Sequence, residues 1–319
     1  MTTQPARLPL RPATTRLHGA FTALITPFAA DGSLDETSLR RLLRRQVAAG
    51  ISGLVPCGTT GETPTLSLDE RERLISLSVA AAAESAAEVR PTVLAGTGTN
   101  DTAASIRATR RAAALGADVA LVVAPYYNRP NQRMLEAHYL AIAEEGGLPI
   151  VVYNVPSRTA SNVEAATLLR LAQHPNIVGV KEAGGSLDQI AVILRERPAD
   201  FAVLAGDDLW TLPMLALGGD GVVSVASNEI PDEMVALCAA ADAGDWDEVR
   251  AIHERWLPLF RANFAGAPNP VPVKAAMALM GLGADHLRRP LLPLDEASRR
   301  ELAGVLRDAG LSLAHEASA

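Results

Sequence analysis

The amino-acid sequence predicts an α/β fold, a (β/α)8 TIM barrel followed by a small C-terminal helical domain. Eight short apolar runs lie between residues 20 and 225. Most of them are apolar throughout, as strands buried on both faces of a parallel sheet should be. Longer stretches with helical periodicity separate the runs. Eight strand–helix units within roughly 225 residues match a (β/α)8 barrel, whose typical size is about 250 residues.

The predicted strands follow one another at regular spacing: Ala20–Ile25, Gly53–Pro56, Thr92–Ala95, Val119–Val123, Ile150–Tyr153, Ile177–Val180, Ala202–Ala205 and Gly221–Val225. Helix N-caps are expected at Asp69, at Asn100 or Asp101, and at Asp207. A doubly wound sheet is the structural alternative. Its phosphate-binding signature is weak here, because Gly96-Thr97-Gly98 lacks the third glycine and its spacing.

Three regions are predicted along the chain. Residues 1–18 form a proline-rich and arginine-rich tail that we expect to be disordered, since it has neither the apolar run of a secretory signal nor an amphipathic helix. The barrel occupies residues 19–244. Residues 245–319 form a helical domain without strand runs, and its predicted helices are Trp246–Phe264, Val271–Leu282 and Asp295–Ala309.

Composition and charge exclude several classes of function. The chain has 319 residues, 48% of them hydrophobic, and a net charge of −7. This acidity argues against nucleic acid and anionic membrane surfaces as partners, and no apolar run approaches the roughly 20 residues that span a bilayer. Two cysteines and six scattered histidines do not form a disulfide framework or a metal site. We therefore expect a soluble, cytoplasmic enzyme that holds no metal.

Lysine is rare in this chain. Of the 29 basic residues only Lys181 and Lys274 are lysines, and the other 27 are arginines. An amine can lose its proton and attack a carbonyl group, whereas a guanidinium stays charged. The two lysines are therefore candidates for positions that arginine cannot fill, although a codon bias that spared two ordinary lysines explains the count equally well.

The active end of such a barrel is its C-terminal face, so residues at strand ends are the candidates for chemistry. Lys181 follows the sixth predicted strand, where partial desolvation of an amine favours the neutral nucleophile that Schiff-base chemistry requires. A static phosphate or carboxylate clamp is the alternative role. Tyr153 ends the neighbouring strand, where its phenol can exchange protons with a substrate, or can simply cap the strand.

Two further features predict a site for anions. The loop Gly58-Thr59-Thr60-Gly61 after the second strand offers backbone N–H groups and two hydroxyls, a cradle for a carboxylate or a phosphate, or else an ordinary polar turn. Arg158 follows the fifth strand and can hold a second carboxylate through two parallel hydrogen bonds, or it is an ordinary solvated surface arginine. Cys57, beside the loop, is interpreted as a packing residue, because no histidine is near it in sequence.

Six motifs occur in order along the chain: Gly58-Thr59-Thr60-Gly61-Glu62, Pro125 through Pro130, Tyr153-Asn154-Val155-Pro156-Ser157-Arg158-Thr159, Val180-Lys181-Glu182-Ala183, Gly206-Asp207-Asp208 and Asn269-Pro270-Val271-Pro272-Val273-Lys274. In order and spacing they closely resemble the dihydrodipicolinate synthase family of pyruvate-dependent class I aldolases, over roughly residues 19–310. The resemblance implies condensation of pyruvate with L-aspartate 4-semialdehyde to 4-hydroxy-tetrahydrodipicolinate, the branch point of lysine and diaminopimelate biosynthesis. It implies no cofactor other than the covalent Schiff base with pyruvate.

The resemblance also implies roles for individual residues. Lys181 resembles the Schiff-base lysine, and Tyr153 the proton donor and acceptor. Thr59, together with Tyr127 from a neighbouring subunit of a homotetramer (a dimer of dimers), is implied to complete a proton relay. Thr60 and the backbone of Val223 are implied to bind pyruvate. Arg158 is implied to guide the carboxylate of the aldehyde. Gly58, Gly61 and Gly206 complete the predicted substrate-binding set.

Other functions stay open at this point. N-acetylneuraminate lyases and 2-keto-3-deoxy-sugar acid aldolases share the lysine, the tyrosine and the loop. Arg158 favours the synthase, because a sugar-acid substrate needs hydroxyl partners more than a second carboxylate clamp. A catalytically inactive barrel that serves as a binding or regulatory scaffold is the alternative from another class.

The chain departs from the family pattern at a few positions. Ala160 stands where glycine is common, and the segment 264–268 is one residue longer than usual and lacks an acid often found there. In lysine-inhibited relatives the position of Arg71 is often histidine and that of Ala104 is glutamate. Without a carboxylate at position 104 the ammonium group of lysine loses a partner, so we predict weak or absent feedback inhibition by lysine.

Overall fold

A computed structural model describes residues 17–87 and 90–314 of the chain and confirms the predicted fold. Within these residues, eight parallel strands close into a barrel, with β1 paired to both β2 and β8. The strands are β1 Gly19–Ala23, β2 Gly53–Val55, β3 Thr92–Gly96, β4 Val119–Val123, β5 Ile150–Asn154, β6 Ile177–Glu182, β7 Ala202–Ala205 and β8 Gly221–Ser224.

Six of the eight strands end at a different residue than predicted, and the ends of β1 and β6 differ most, by two residues each. Strand β1 ends at Ala23. The N–H of Leu24 still donates to the carbonyl of Val55 on β2, whereas that of Ile25 donates to Oδ1 of Asn228, each at 3.2 Å. Strand β6 continues two residues past Val180, since its pairing with β5 extends through Lys181 and Glu182. Lys181 thus lies within the strand and not after it.

Helices connect the strands and follow the last of them: α1 Glu36–Ala48, α2 Leu68–Ala83, α3 Thr102–Ala114, α4 Gln132–Glu145, α5 Pro156–Thr159, α6 Ala165–Leu171, α7 Leu187–Glu196, α8 Thr211–Ala216, α9 Pro231–Asp242, α10 Trp246–Ala262, α11 Val271–Leu279 and α12 Glu296–Asp308. The predicted caps at Asp101 and Asp207 are confirmed. The prediction for Asp69 was wrong. Ser67 caps α2, because its hydroxyl accepts from the N–H of Glu70 while the Glu70 carboxylate accepts from the N–H of Ser67.

Apolar side chains fill the barrel itself and the space between the strands and the helices. The inner cluster includes Phe21, Leu94, Leu121, Tyr153 and Val223. Side chains alternate along each strand, so the inward set is fixed by strand pairing. The floor of the site is therefore a packed core and not a pore.

The C-terminal helices α10, α11 and α12 follow the barrel without any further strand among the described residues. Helix α10 packs against α9, and α11 packs against the turn Ala226–Asn228 after β8. The division at residue 244 stays a prediction. No helix in the described ranges is long and apolar enough to cross a membrane.

The predicted N-terminal tail lies outside the described residues except for its last two. Leu17 is buried in the inner cluster of the barrel. His18 contacts Asp242, with Nε2 and Oδ1 3.0 Å apart. These contacts attach the start of β1 to the end of α9.

Candidate active site

Lys181 lies near the C-terminal end of β6 and faces the barrel interior. In the strand register it pairs with Tyr153 on β5 and with Leu204 on β7. Its side chain is 5% exposed, and Nζ lies 4.3 Å from the centre of the Tyr153 ring. Within residues 17–87 and 90–314, Nζ makes no hydrogen bond and no ion pair. The amine is thus held beside a phenol and is open to a substrate carbonyl.

Gly206, just after β7, gives the Lys181 side chain its room. A Cβ atom at this position would lie 2.7 Å from Cβ of Ala183 and 3.2 Å from Cε of Lys181. Ordinary carbon–carbon contacts are about 3.5–4.0 Å. Any larger residue at position 206 would therefore push against the lysine and the backbone beside it.

The acids near Lys181 do not pair with its amine. Side chains alternate along β6, so Glu182 points away from the barrel interior. On that outer side its carboxylate accepts hydrogen bonds from Nδ2 of Asn154, Nε2 of Gln189 and the N–H of Gly184. Burial raises the pKa of Glu182. Burial also raises the pKa of Asp207, and the positive charge of Lys181 opposes that rise. Neither acid forms an ion pair with the amine of Lys181.

The loop Gly58–Gly61 stands at the C-terminal end of β2 and is closed by short turns. The N–H of Gly61 donates to the Gly58 carbonyl and that of Glu62 to the Thr59 carbonyl, each at 3.1 Å. The N–H groups of Thr59 and Thr60, and the Thr59 hydroxyl, bond to no described residue. Free N–H groups in a tight turn can donate hydrogen bonds to a small anion, and the anion site at this loop stays a prediction.

Asn269 joins this loop to the opposite rim of the site. Its Nδ2 donates to the Thr60 hydroxyl at 3.0 Å, and its carbonyl accepts from Nη2 of Arg158 at 3.2 Å. Asn269 was not among the predicted site residues, because it lies outside the barrel strands. The only signal was its place at the start of the motif that ends in Lys274.

Arg158 lies on the short helix α5 and is exposed at the rim. Ala160, directly after α5, has a φ of 55°, in the left-handed region. This backbone conformation accounts for the glycine that the resemblance leads one to expect there, since glycine adopts it without steric cost.

Tyr127 is an exposed residue of the single chain. It lies on the loop after β4, is 90% exposed and has a φ of 73°. A bulky residue rarely holds a positive φ without a functional or tertiary reason. Val223, by contrast, is fully buried in β8, and its side chain packs in the same inner cluster as Tyr153.

Two other candidates can be judged from the geometry. Burial raises the pKa of the Cys57 thiol to about 12, which leaves it a packing residue and a poor nucleophile. Among the described residues, no three His, Cys, Asp or Glu side chains converge as metal ligands would.

A closed barrel that presents one unpaired lysine beside a strand-end tyrosine, with free backbone N–H groups at the same face, is typical of the lysine-bearing aldolase class of (β/α)8 barrels. The comparisons narrow this class. The Dihydrodipicolinate synthetase family model matches residues 16–309. The chain belongs to this family.

Relatives and solved structures agree with this assignment. The chain is 47% identical to a 4-hydroxy-tetrahydrodipicolinate synthase of Koribacter versatilis over 300 residues, which cover 93% of this chain and 97% of the relative. It is 47% identical to that of Syntrophus aciditrophicus over 293 residues, 92% and 98% of the two chains. The crystal structure of dihydrodipicolinate synthase from Aquifex aeolicus superimposes with a TM-score of 0.89 at 41% identity, covering 93% and 99%.

Proposed function

We propose that this chain condenses pyruvate with L-aspartate 4-semialdehyde to give 4-hydroxy-tetrahydrodipicolinate, through a Schiff base at Lys181. The observation that carries the proposal is the amine of Lys181, buried at the barrel mouth, without a partner in the described residues, and 4.3 Å from the Tyr153 ring. Membership of the family supports the choice of substrates. The chemistry belongs to the lysine and diaminopimelate branch, in the cytoplasm, and requires no external cofactor.

The first step uses the loop and the lysine together. The free N–H groups of Thr59 and Thr60 hold the pyruvate carboxylate, assisted by the backbone of Val223, and Gly58 and Gly61 let the loop turn tightly around it. Nζ of Lys181 attacks C2, and the carbonyl oxygen leaves as water once it has been protonated. The product is an imine between Lys181 and C2 of pyruvate.

The second step moves protons through hydroxyl groups. Loss of a proton from C3 converts the imine to an enamine, and Tyr153 is the base and acid within reach of these atoms. Thr59, together with Tyr127 from a neighbouring subunit, connects Tyr153 to solvent. The enamine carbon then attacks the aldehyde carbon of the second substrate, and the aldehyde oxygen takes up a proton to become the hydroxyl of the product.

The last step closes the ring and frees the enzyme. The amino group of the second substrate adds to C2 and displaces Nζ of Lys181, so the C–N bond to the enzyme breaks as the ring C–N bond forms. Arg158 binds the carboxylate of the aldehyde at the rim, where Asn269 holds its guanidinium in place. This second carboxylate partner favours aspartate semialdehyde over sugar aldehydes.

Reduction with borohydride in the presence of pyruvate tests the proposal. Lys181 should be converted to a stable secondary amine that mass spectrometry locates on its peptide. The only other lysine, Lys274, is fully buried in an ion pair and serves as the internal control. Lys181→Ala should not be modified. An unmodified wild-type Lys181 would favour an inactive scaffold, and faster turnover of sugar aldehydes than of aspartate semialdehyde would favour the sugar-acid aldolases.

The exposed Tyr127 supports a homotetramer, a dimer of dimers in which each active site borrows this residue. Mixing Tyr127→Phe chains with Lys181→Ala chains tests the exchange. A mixed dimer contains one site with both Lys181 and the partner's wild-type tyrosine, so activity should return above that of either variant alone. Mixed oligomers, verified by differential tagging, that recover no activity would contradict a shared site.

A further inference from the structure

Lys274, the second of the two lysines, lies on α11 and is fully buried. Its Nζ donates to Oε1 of Glu62 at 2.5 Å and to the carbonyl of His286 at 2.7 Å, and it lies 4.4 Å from the centre of the Phe28 ring. Acceptors and an aromatic face thus enclose the ammonium group. An arginine would bring a larger planar group with five donors to satisfy, so this position accounts for one of the two lysines in an arginine-rich chain.

Glu62 connects Lys274 to the proposed carboxylate cradle. It directly follows Gly61 and has a φ of 54°, in the left-handed region. Both of its carboxylate oxygens are occupied, one by Lys274 and the other by the N–H of Arg288 at 3.1 Å. Its own N–H donates to the carbonyl of Thr59. The position of Glu62 therefore decides how the loop turns at Thr59 and Thr60.

The same segment of chain holds the loop at a second point. Asn269, five residues before Lys274, donates to the Thr60 hydroxyl at 3.0 Å. A carboxylate that follows the loop and a hydroxyl within it are thus both attached to residues 269–274. The first attachment is on Thr60, which carries one of the free N–H groups, and the second is on Glu62, two residues further along the chain.

We infer that Lys274 is a positioning residue for pyruvate binding, acting through Glu62 to hold the loop Gly58–Gly61 in the conformation that presents the Thr59 and Thr60 N–H groups. The inference rests on the proposed function. Without its ammonium partner a buried carboxylate must take up a proton or turn toward solvent, because an unpaired buried charge is costly. Either change alters the turn that Glu62 closes.

The test compares Lys274→Met, Glu62→Gln and the double variant in steady-state kinetics with each substrate varied. Each single variant should raise the KM for pyruvate at least tenfold, while the KM for aspartate semialdehyde changes less than threefold. Because Lys274 acts through Glu62, the double variant should have a pyruvate KM no higher than that of Lys274→Met alone. Multiplied effects in the double variant, or an unchanged pyruvate KM in the single variants, would overturn the inference.

Arg197→Met is the matched control. Arg197 forms a largely buried ion pair with Asp220 at the opposite, N-terminal end of β8. Breaking it should lower the melting temperature and the active fraction, and hence the apparent kcat, without changing the KM for pyruvate. If Lys274→Met does not fold, the KM for pyruvate of Glu62→Gln alone decides whether the inference holds, because this substitution conserves side-chain volume.

The failure of this inference and that of the proposed function have different signatures. A wild-type chain whose Lys181 is modified by pyruvate and borohydride, combined with variants of unchanged pyruvate KM, overturns the positioning role only. A wild-type chain that is not modified overturns both.

Discussion

Replacing Gly206 by alanine tests whether the room beside Lys181 is needed for chemistry. The added Cβ would lie 2.7 Å from Cβ of Ala183, about 1 Å inside normal contact, and 3.1 Å from the backbone oxygen of Glu182. Neither atom can rotate away, because both are fixed to β6 and its continuation. The strain is relieved if the end of β6 or the backbone at residue 206 shifts, and either shift changes the position of Lys181 relative to the turn after β7.

The size of the effect follows from the overlap. One extra methyl group in a tightly packed site costs about 1–3 kcal/mol. If most of this strain displaces the amine from the substrate carbonyl, kcat/KM for pyruvate falls roughly tenfold to hundredfold, since a tenfold change corresponds to about 1.4 kcal/mol.

Two measurements check this prediction, the rate of borohydride trapping at Lys181 and kcat/KM for pyruvate. Gly304→Ala on α12 is the control, because a Cβ there meets no atom within 4 Å. It should leave both rates unchanged. A Gly206→Ala chain that is trapped and turns over at the wild-type rate would refute the reasoning.

Three further predictions follow from other positions. Ala160→Gly should raise the free energy of unfolding by about 0.5–1 kcal/mol in urea denaturation, because φ is 55° there; a decrease would contradict this. Lysine should inhibit turnover weakly, since Ala104 offers its ammonium no carboxylate; strong inhibition at millimolar lysine would disprove this. Hydrogen bonding from Arg288 lowers the pKa of Glu70 to about 2, below the unfolded value of about 4.3. The ion pair of Glu70 with Arg288 therefore stabilises the folded state fully above about pH 4.3, and this stabilisation is lost as the pH falls toward 2. The stability gap between wild type and Glu70→Gln should therefore narrow between pH 5.5 and pH 3, and a constant gap would exclude the effect.

Much of the fold could be predicted because its signals are local. A strand buried on both faces must be apolar along its length, so runs such as Val119–Val123 stand out without any tertiary information. The ends of helices and strands were harder to predict. Ser67 and Asp69 are both good caps, and only the reciprocal bonds with Glu70 decide that Ser67 begins α2.

The candidate site was predicted where its residues end a strand. Lys181 was selected for its position at the end of its strand, and Tyr153 because it ends the neighbouring strand. The pairing of β5 with β6 places the two residues side by side. Asn269 was not selected, because its contacts with Thr60 and Arg158 depend on how the C-terminal segment returns over the barrel. Nothing in the local pattern around residue 269 encodes that return.

The sequence by itself determined the eight strand–helix units, the scarcity of lysine and the polar strand ends, because these depend on residue type and periodicity along the chain. Only the tertiary structure decided that the Lys181 amine has no partner among the described residues, that Lys274 is enclosed with Glu62, and that Tyr127 is exposed. The physical reason is that these properties are distances between groups up to about 210 positions apart in sequence, and closure of the barrel sets those distances.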